Sequence, residues 1–278
     1  MILCADDYGL SDDINGAILE LLRSRKLSAV SCMVLFEQCS HGTMTELLKL
    51  RETVDVGLHL CLTDERLPVS RLNHDNRALH PLYPSFKGLF KDALRKKIDA
   101  RKIAGQVASQ YELFVQKCGR EPDFIDGHLH VHQLPGVREG LLDFVRSLPS
   151  ERRPYIRNTC MPLHDVWRRR LPWVKTAFIG WFGARMRKEL DSERIPTNDG
   201  FAGIYDFRDW PRYRDYLPRF IDYLRQPNGI LVVHPGKNEE WRRQEFETLR
   251  EFAFPQGTPN RFQRELRPLS KPHLIVAW

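Results

Sequence analysis

Two adjacent carboxylates, Asp6 and Asp7, follow the first apolar run of the chain, Met1 to Ala5. A short apolar run of this kind predicts a buried strand that ends at the carboxylates. In parallel α/β folds the catalytic groups lie at the carboxyl ends of strands. Neighbouring carboxylates repel each other, so we expect a cation or a shared proton between them. Residues 11–13 can begin the next helix, which leaves the Asp pair available for chemistry.

Further ionisable residues lie at the ends of later apolar runs. They are His59, Asp126, His128 and His234. The runs are typical of strands, and the carboxyl ends of parallel strands converge on one face of a barrel. We therefore expect these side chains to meet Asp6 and Asp7 in a single site.

One carboxylate and two imidazoles, with positions left for water, form a suitable site for a divalent metal ion. Asp7, His59 and His128 could supply this set. Asp6 would then be free to act as a base, and His234 would lie across the site as the acid. Taken alone, His59 could equally be a core histidine, and His234 a turn residue. Two imidazoles favour zinc and a water-completed shell favours magnesium, so both metals stay open.

The histidines at 128, 130 and 132 alternate along the chain. In an extended segment they would share one face, and they could not all bind one metal ion. We therefore expect His130 and His132 to contact the substrate or to support the ligands. Asp126 could hydrogen-bond a histidine and fix its tautomer.

Predicted strands alternate with predicted helices along the chain. The strands are expected at 29–35, 54–62, 123–125, 154–157, 204–207, 230–233 and 274–278. This alternation is typical of parallel β/α units. We expect α/β architecture, with residues 1–278 forming a single-domain, distorted TIM-like (β/α) barrel. The segments 63–85 and 163–190 exceed ordinary connections, and we expect them to wall the substrate pocket.

Four short motifs, taken in order, resemble the YdjC-like carbohydrate deacetylases. They are ADDYGLS at 5–11, GLHLCLT at 57–63, DGHLHVH at 126–132 and VHPG at 233–236. Tyr8 stands where Phe is commoner, and Gly127 and Leu129 replace more polar residues. These departures leave the ionisable groups intact.

The resemblance implies a distorted β/α barrel and a metal-dependent hydrolase that removes acetyl groups from N-acetylated sugars or oligosaccharides. It places the ligands of one divalent metal ion on Asp7, His59 and His128, and the catalytic aspartate on Asp6. It matches His234 to the acid. Arg157 could reach the substrate or the Asp6 carboxylate. Aromatic side chains suit sugar faces, and the candidates are Trp173, Trp181 and Tyr205.

The composition narrows the partners and the compartment. The formal net charge is +7, which favours anionic partners, but we find no nucleic-acid-binding motif. The six cysteines form no C-x-x-C pair, which is typical of a reducing compartment. We see no leader and no apolar run long enough for a membrane span, so we expect a cytoplasmic protein. The oligomeric state stays open, and a dimer is compatible with the sequence.

Two other functions fit parts of the pattern. A metal-dependent phosphoesterase on a β/α barrel would also use an H-x-H run, although it usually needs more ligands. A non-enzymatic protein that binds polyanions or membrane surfaces would use residues 167–188, where Trp and Phe mix with Arg and Lys. Pro172 and Gly180 weaken a continuous amphipathic face in this segment.

Overall fold

The computed structural model describes residues 1–63, 83–161, 173–224 and 226–263. Strands and helices alternate through these ranges. The strands are β1 (Ile2–Tyr8), β2 (Ala29–Cys32), β3 (Asp55–Leu60), β4 (Phe124–Gly127), β5 (Tyr155–Ile156), β6 (Gly200–Ala202) and β7 (Gly229–Val233). The helices are α1 (Asp12–Arg23), α2 (His41–Leu48), α3 (Phe86–Leu94), α4 (Ala100–Cys118), α5 (Val137–Ser147), α6 (Trp173–Ser192), α7 (Tyr213–Tyr223) and α8 (Glu240–Glu251). Short 3-10 turns cover His128–Gln133, Ser150–Arg152 and Phe207–Arg212.

The strands form one seven-stranded sheet in the order β5-β4-β3-β2-β1-β7-β6. Every pair of neighbouring strands is parallel. At the edge, the Ile156 N–H donates to the Pro196 carbonyl oxygen at 2.8 Å, which links β5 to the chain that enters β6. The sheet therefore curls into an incomplete barrel, in which β2 is the middle strand of the order and β1 lies beside it. This confirms the predicted distorted β/α barrel, which has seven strands among the described residues.

Burial explains why these segments form strands and helices. Every residue of β1, β2, β3, β4 and β7 is buried, as expected of a parallel sheet covered on both faces. Helix α1 buries one face, formed by Ile14, Ala17, Ile18, Leu21 and Leu22. Within the described residues, no helix combines the length and the apolar character that crossing a bilayer requires.

The structure corrects one predicted strand. The segment 204–207 is not a strand, because β6 ends at Ala202 and a 3-10 turn begins at Phe207. Between them Gly203 has φ +108°, and a Cβ there would lie 2.2 Å from the Val232 carbonyl oxygen. This left-handed residue turns the chain away from the sheet, and Ile204 is buried as part of the cavity lining. The strand predicted at 274–278 lies outside the described residues.

The turn that follows β1 offers a test of the left-handed glycine conformation at the end of a strand. Gly9, directly after β1, has φ +96°, and a Cβ there would lie 2.6 Å from the Cys39 Cβ. We predict that Gly9→Ala lowers the free energy of unfolding by about 1–3 kcal/mol, because it adds both backbone strain and a clash. Urea denaturation followed by circular dichroism measures the effect.

Gly16 is the matched control, since it lies within α1 and a Cβ there meets nothing within 4 Å. Gly16→Ala should raise the free energy of unfolding by up to about 1 kcal/mol through helix propensity. If the two variants shift the free energy of unfolding in the same direction, the left-handed conformation assigned to Gly9 is wrong.

Candidate active site

The strand ends meet around one cavity of about 460 Å³. The predicted site residues that line it are Asp6, Asp7, His59, His128, His130 and His234. Asp6 and Asp7 come from β1, His59 from β3, His128 from the end of β4 and His234 from the end of β7. The carboxyl ends of separate strands thus converge as the sequence predicts.

A local distortion of β1 lets both adjacent carboxylates face the cavity. Regular alternation would point the side chains of Asp6 and Asp7 in opposite directions. The pairing of β1 with β2 shifts register between Ala5 and Tyr8, and Asp7 has φ +69°. A left-handed conformation is uncommon for a residue other than glycine, and such strain persists only where the surroundings enforce it.

Asp7, His59 and His128 form a compact cluster of ligand atoms. Asp7 Oδ1 lies 3.5 Å from His59 Nε2 and 3.1 Å from His128 Nδ1. One ligand atom from each residue falls within 4.8 Å of the others. A carboxylate and two imidazoles at these separations fit one divalent cation of the zinc or magnesium type.

Asp126 fixes the orientation of His59. Its Oδ1 lies 2.6 Å from His59 Nδ1 and accepts a hydrogen bond from Ser31 Oγ at 2.5 Å. With Nδ1 bound to Asp126, Nε2 faces Asp7, as in a carboxylate–histidine–metal arrangement. Burial would lower the pKa of His59, but Asp126 and Asp6 outweigh it and raise that pKa to about 10. A metal ion at Nε2 would displace the proton held there.

Arg157 lies fully buried between Asp6 and Asp126. Its Nη1 and Nη2 each donate to one oxygen of Asp6 at 2.7 Å. Its Nη2 also lies 2.5 Å from Asp126 Oδ2 and 3.0 Å from Cys4 Sγ. Cys4, Asp6 and Asp126 are close enough to resemble a second metal cluster, but the guanidinium already occupies the space between them. The expected contact between Arg157 and Asp6 is present.

Arg242, which the sequence reasoning missed, binds the other oxygen of Asp7. Its Nη2 lies 2.7 Å from Asp7 Oδ2, and its Nε donates to Glu239 Oε2 at 2.8 Å. Burial would raise the pKa of Asp7, but Arg242, with hydrogen bonds from His128 and His59, holds it well below its ordinary value. Arg242 lies in α8, which is rich in charged residues. The sequence pattern of this helix does not indicate which charged side chain points into the site.

His234 also lines the cavity, and α8 holds its backbone. Its backbone N–H donates to Glu245 Oε2 at 2.5 Å, and Tyr205 Oη donates to Glu245 Oε1 at 2.7 Å. The rings of Phe207 and Trp241 lie 5.4 and 6.0 Å from its imidazole. Burial lowers the pKa of His234 to about 4 and raises that of Glu245 to about 7. His234 is therefore neutral at pH 7.

The remaining histidines do not share one face. Leu129 and His130 have φ of 53° and 58°, so residues 128–133 form a turn and not an extended segment. His130 lines the cavity with its ring 5.5 Å from that of Phe201, whereas His132 Nε2 donates to the Arg157 carbonyl oxygen at 2.9 Å. His132 thus supports the backbone that carries Arg157. Burial lowers its pKa to about 4.

Much of the remaining cavity wall is apolar. Its apolar side chains include Phe86, Leu129, Leu134, Phe178, Ile179, Phe182, Ile204, Phe207, Val232 and Trp241. Of the aromatic residues predicted to face sugar, Tyr205 lines the cavity and Trp181 is exposed on α6. The side chain of Trp173 lies outside the described parts. Helix α6 does contribute to the wall, whereas residues 64–82 and 162–172 are not described.

With this geometry in view, comparison with known proteins identifies the family. A family model described as YdjC-like protein matches residues 1–274, so the chain belongs to the YdjC-like family. A solved structure of a protein from Enterococcus faecalis V583, described as a cellobiose-phosphate cleavage protein, shares the fold. It superposes with a TM-score of 0.60 over 89% of both chains at 18% identity.

Several relatives carry the name chitooligosaccharide deacetylase. The protein of Yersinia pestis bv. Antiqua (strain Angola) is 32% identical over 195 residues, which cover 69% of this chain and 71% of the relative. That of Yersinia enterocolitica is 31% identical over 54% of this chain and 57% of the relative. That of Salmonella paratyphi B is 30% identical over 49% of this chain and 52% of the relative. The chain thus aligns with only slightly more than half the length of the second and third relatives.

The buried Glu245 generates a prediction about pH. Its pKa is about 7 in the folded chain against 4.5 ordinarily, so the folded state holds a proton that the unfolded state has lost. This contribution to stability is present below pH 4.5 and is lost as pH rises through 7. Relative to Glu245→Gln, the wild type should lose up to about 3 kcal/mol of unfolding free energy across that interval.

Urea titrations of both proteins at several pH values measure this difference. Glu240→Gln, at an exposed position of the same helix, is the matched control for removing one negative charge. A gap between wild type and Glu245→Gln that stays constant from pH 4.5 to 7 would contradict the burial of an ionisable Glu245.

Proposed function

We propose that this protein is a metal-dependent carbohydrate deacetylase, which hydrolyses the acetamide of an N-acetylated sugar or oligosaccharide to acetate and an amino sugar. The observation that carries the proposal is the cluster of Asp7, His59 and His128 beside the Asp6–Arg157 pair in one cavity. The relatives named chitooligosaccharide deacetylase support the same reaction class.

The ligand set proposed for the metal ion is Asp7, His59 and His128. A divalent ion held there, zinc or magnesium, would supply Lewis acidity that polarises the amide carbonyl and lowers the pKa of water. Asp126 and Arg242 keep the ligands in place, since Asp126 orients His59 and Arg242 holds the second oxygen of Asp7.

Asp6 is the proposed base. Arg157 binds one lone pair on each of its oxygens, and a carboxylate has about four such sites, so acceptor positions remain for a water molecule. The bidentate contact also holds the carboxylate in one orientation. Asp6 would take a proton from the attacking water as the new C–O bond forms.

His234 is the proposed acid. When the C–N bond breaks, the leaving nitrogen must gain a proton, and His234 lines the cavity with Asp6. Because burial lowers its pKa to about 4, a protonated His234 gives up its proton readily. It must therefore receive that proton during the reaction, and the proton that Asp6 takes from the attacking water would supply it. The Glu245 carboxylate fixes the backbone at this position.

The roles of the adjacent aspartates can be separated by substitution. Asp6→Asn should keep the metal ion and lose about 10²–10⁴ in turnover, because an amide oxygen is a poor base. Asp7→Asn should weaken metal binding as well, and excess metal should restore part of the rate. Acetate release from a panel of N-acetylated sugars, with magnesium, manganese, cobalt, nickel or zinc added to metal-free protein, gives the rates. Titration of each metal gives the affinity.

Asp12→Asn, an exposed aspartate of α1, is the matched control and should change neither quantity. If Asp6→Asn loses its metal ion while Asp7→Asn retains it, the two roles are exchanged. Hydrolysis of p-nitrophenyl phosphate without acetate release would instead favour the phosphoesterase alternative.

A further inference from the structure

The two oxygens of the Asp7 carboxylate have different partners. Oδ2 lies 2.7 Å from Arg242 Nη2, whereas Oδ1 faces His59 Nε2 at 3.5 Å and His128 Nδ1 at 3.1 Å. The side chains of Asp7 and Arg242 are only 2% and 7% exposed, so water competes little for their contact. Because an arginine side chain is not deprotonated in proteins, Oδ2 keeps a cationic partner. Of this carboxylate, Oδ1 alone is then open to a metal ion.

Contacts other than the one with Asp7 also fix the Arg242 side chain. Its Nε donates to Glu239 Oε2 at 2.8 Å, and its Nη1 donates to the His234 carbonyl oxygen at 3.4 Å. Its guanidinium carbon lies 4.3 Å from the centroid of the Trp241 ring, within the range of a cation–π contact. The position of the guanidinium therefore does not depend on the carboxylate alone.

The second carboxylate of the cavity does not complete the candidate ligand set. Among the described residues that line the cavity, the carboxylates are Asp6 and Asp7. Arg157 donates to both oxygens of Asp6 at 2.7 Å and keeps that carboxylate turned toward its own guanidinium. The candidate ligands therefore supply one carboxylate oxygen and two ring nitrogens.

We propose that Arg242 is a positioning residue that makes Asp7 a one-oxygen ligand and thereby selects the metal ion. The two oxygens of one carboxylate subtend a narrow angle at an ion that binds both. A regular tetrahedral or octahedral shell, as formed by zinc or magnesium, has little room for that angle, whereas the irregular shell of calcium accepts it readily. Arg242 thus discriminates against ions of the calcium type. This role rests on the metal site of the proposed function.

Substitution of Arg242 should relax the selectivity. In Arg242→Gln, Oδ2 is released, and the affinity for calcium relative to magnesium should rise about tenfold, the order by which contacts that orient a ligand change metal affinity. Arg242→Lys keeps a cationic donor beside Oδ2 and should retain most of the wild-type ratio. Arg243→Gln, at the exposed neighbouring position of α8, is the matched control and should leave the ratio unchanged.

Competition titrations of the metal-free full chain measure this ratio. Manganese is the reporter ion, since bound manganese loses its sharp electron paramagnetic resonance signal and displaced manganese regains it. Displacement by magnesium or by calcium then gives the affinity for each ion without any measurement of activity. Because the result is a ratio of two affinities, a general loosening of the site in a variant affects both ions and cancels. Circular dichroism shows that each variant is folded.

The role of Arg242 is overturned if the ratio is the same in wild type and Arg242→Gln. It is also overturned if the ratio rises as much in Arg243→Gln, since the effect would then come from a change of net charge. An equal rise in Arg242→Lys would overturn it as well, because a cation beside Oδ2 would then not restrict the ligand.

Acetate release from the panel of N-acetylated sugars separates this role from the proposed function. If the ratio changes as expected but the wild type releases no acetate with any added metal, the deacetylase function fails and the role of Arg242 stands. If the wild type releases acetate and Arg242→Gln leaves the ratio unchanged, the role fails and the function stands. A wild type that binds no divalent ion overturns the metal site and the role of Arg242 together.

Discussion

The ion pairs of the buried Arg157 guanidinium decide how the rest of the site is arranged. Asp6, Asp7 and Asp126 lie within one buried region, where uncompensated carboxylates would repel each other strongly. Arg157 binds Asp6 at both oxygens and Asp126 at one. Because Arg157 follows β5 and Asp6 belongs to β1, the same contact ties an edge strand to an inner strand of the sheet. Removing one partner of such a buried network is far more costly than losing a surface ion pair.

Two arginines give the adjacent aspartates different environments. Arg157 takes both oxygens of Asp6, whereas Arg242 takes only Oδ2 of Asp7. Asp7 Oδ1 is thereby left facing His59 and His128. The left-handed backbone conformation of Asp7 turns Oδ1 toward the two histidines. The ion pair with Arg242 offsets part of the strain of that conformation. One short segment, residues 6–7, thus presents a candidate base and a candidate ligand side by side.

The sequence predicts those parts of the structure that depend on local patterns. Apolar runs that end in ionisable residues predicted the strand ends, and their alternation with helices predicted the parallel barrel. Arg242 and Glu245 could not be found in this way. Their helix is rich in charge, as exposed helices are, and only its packing over the end of β7 buries these two residues. The alternation predicted for His128, His130 and His132 failed because Leu129 adopts a left-handed conformation that its residue type does not favour.

Anomalous diffraction from crystals grown with manganese or zinc tests the central claim most directly. Data collected at the absorption edge locate the ion without any assumption about activity. The account predicts one strong peak within coordination distance of Asp7, His59 and His128, with Arg157 still bound to Asp6. A peak among Cys4, Asp6 and Asp126, or no peak near Asp7 at saturating metal, would contradict it.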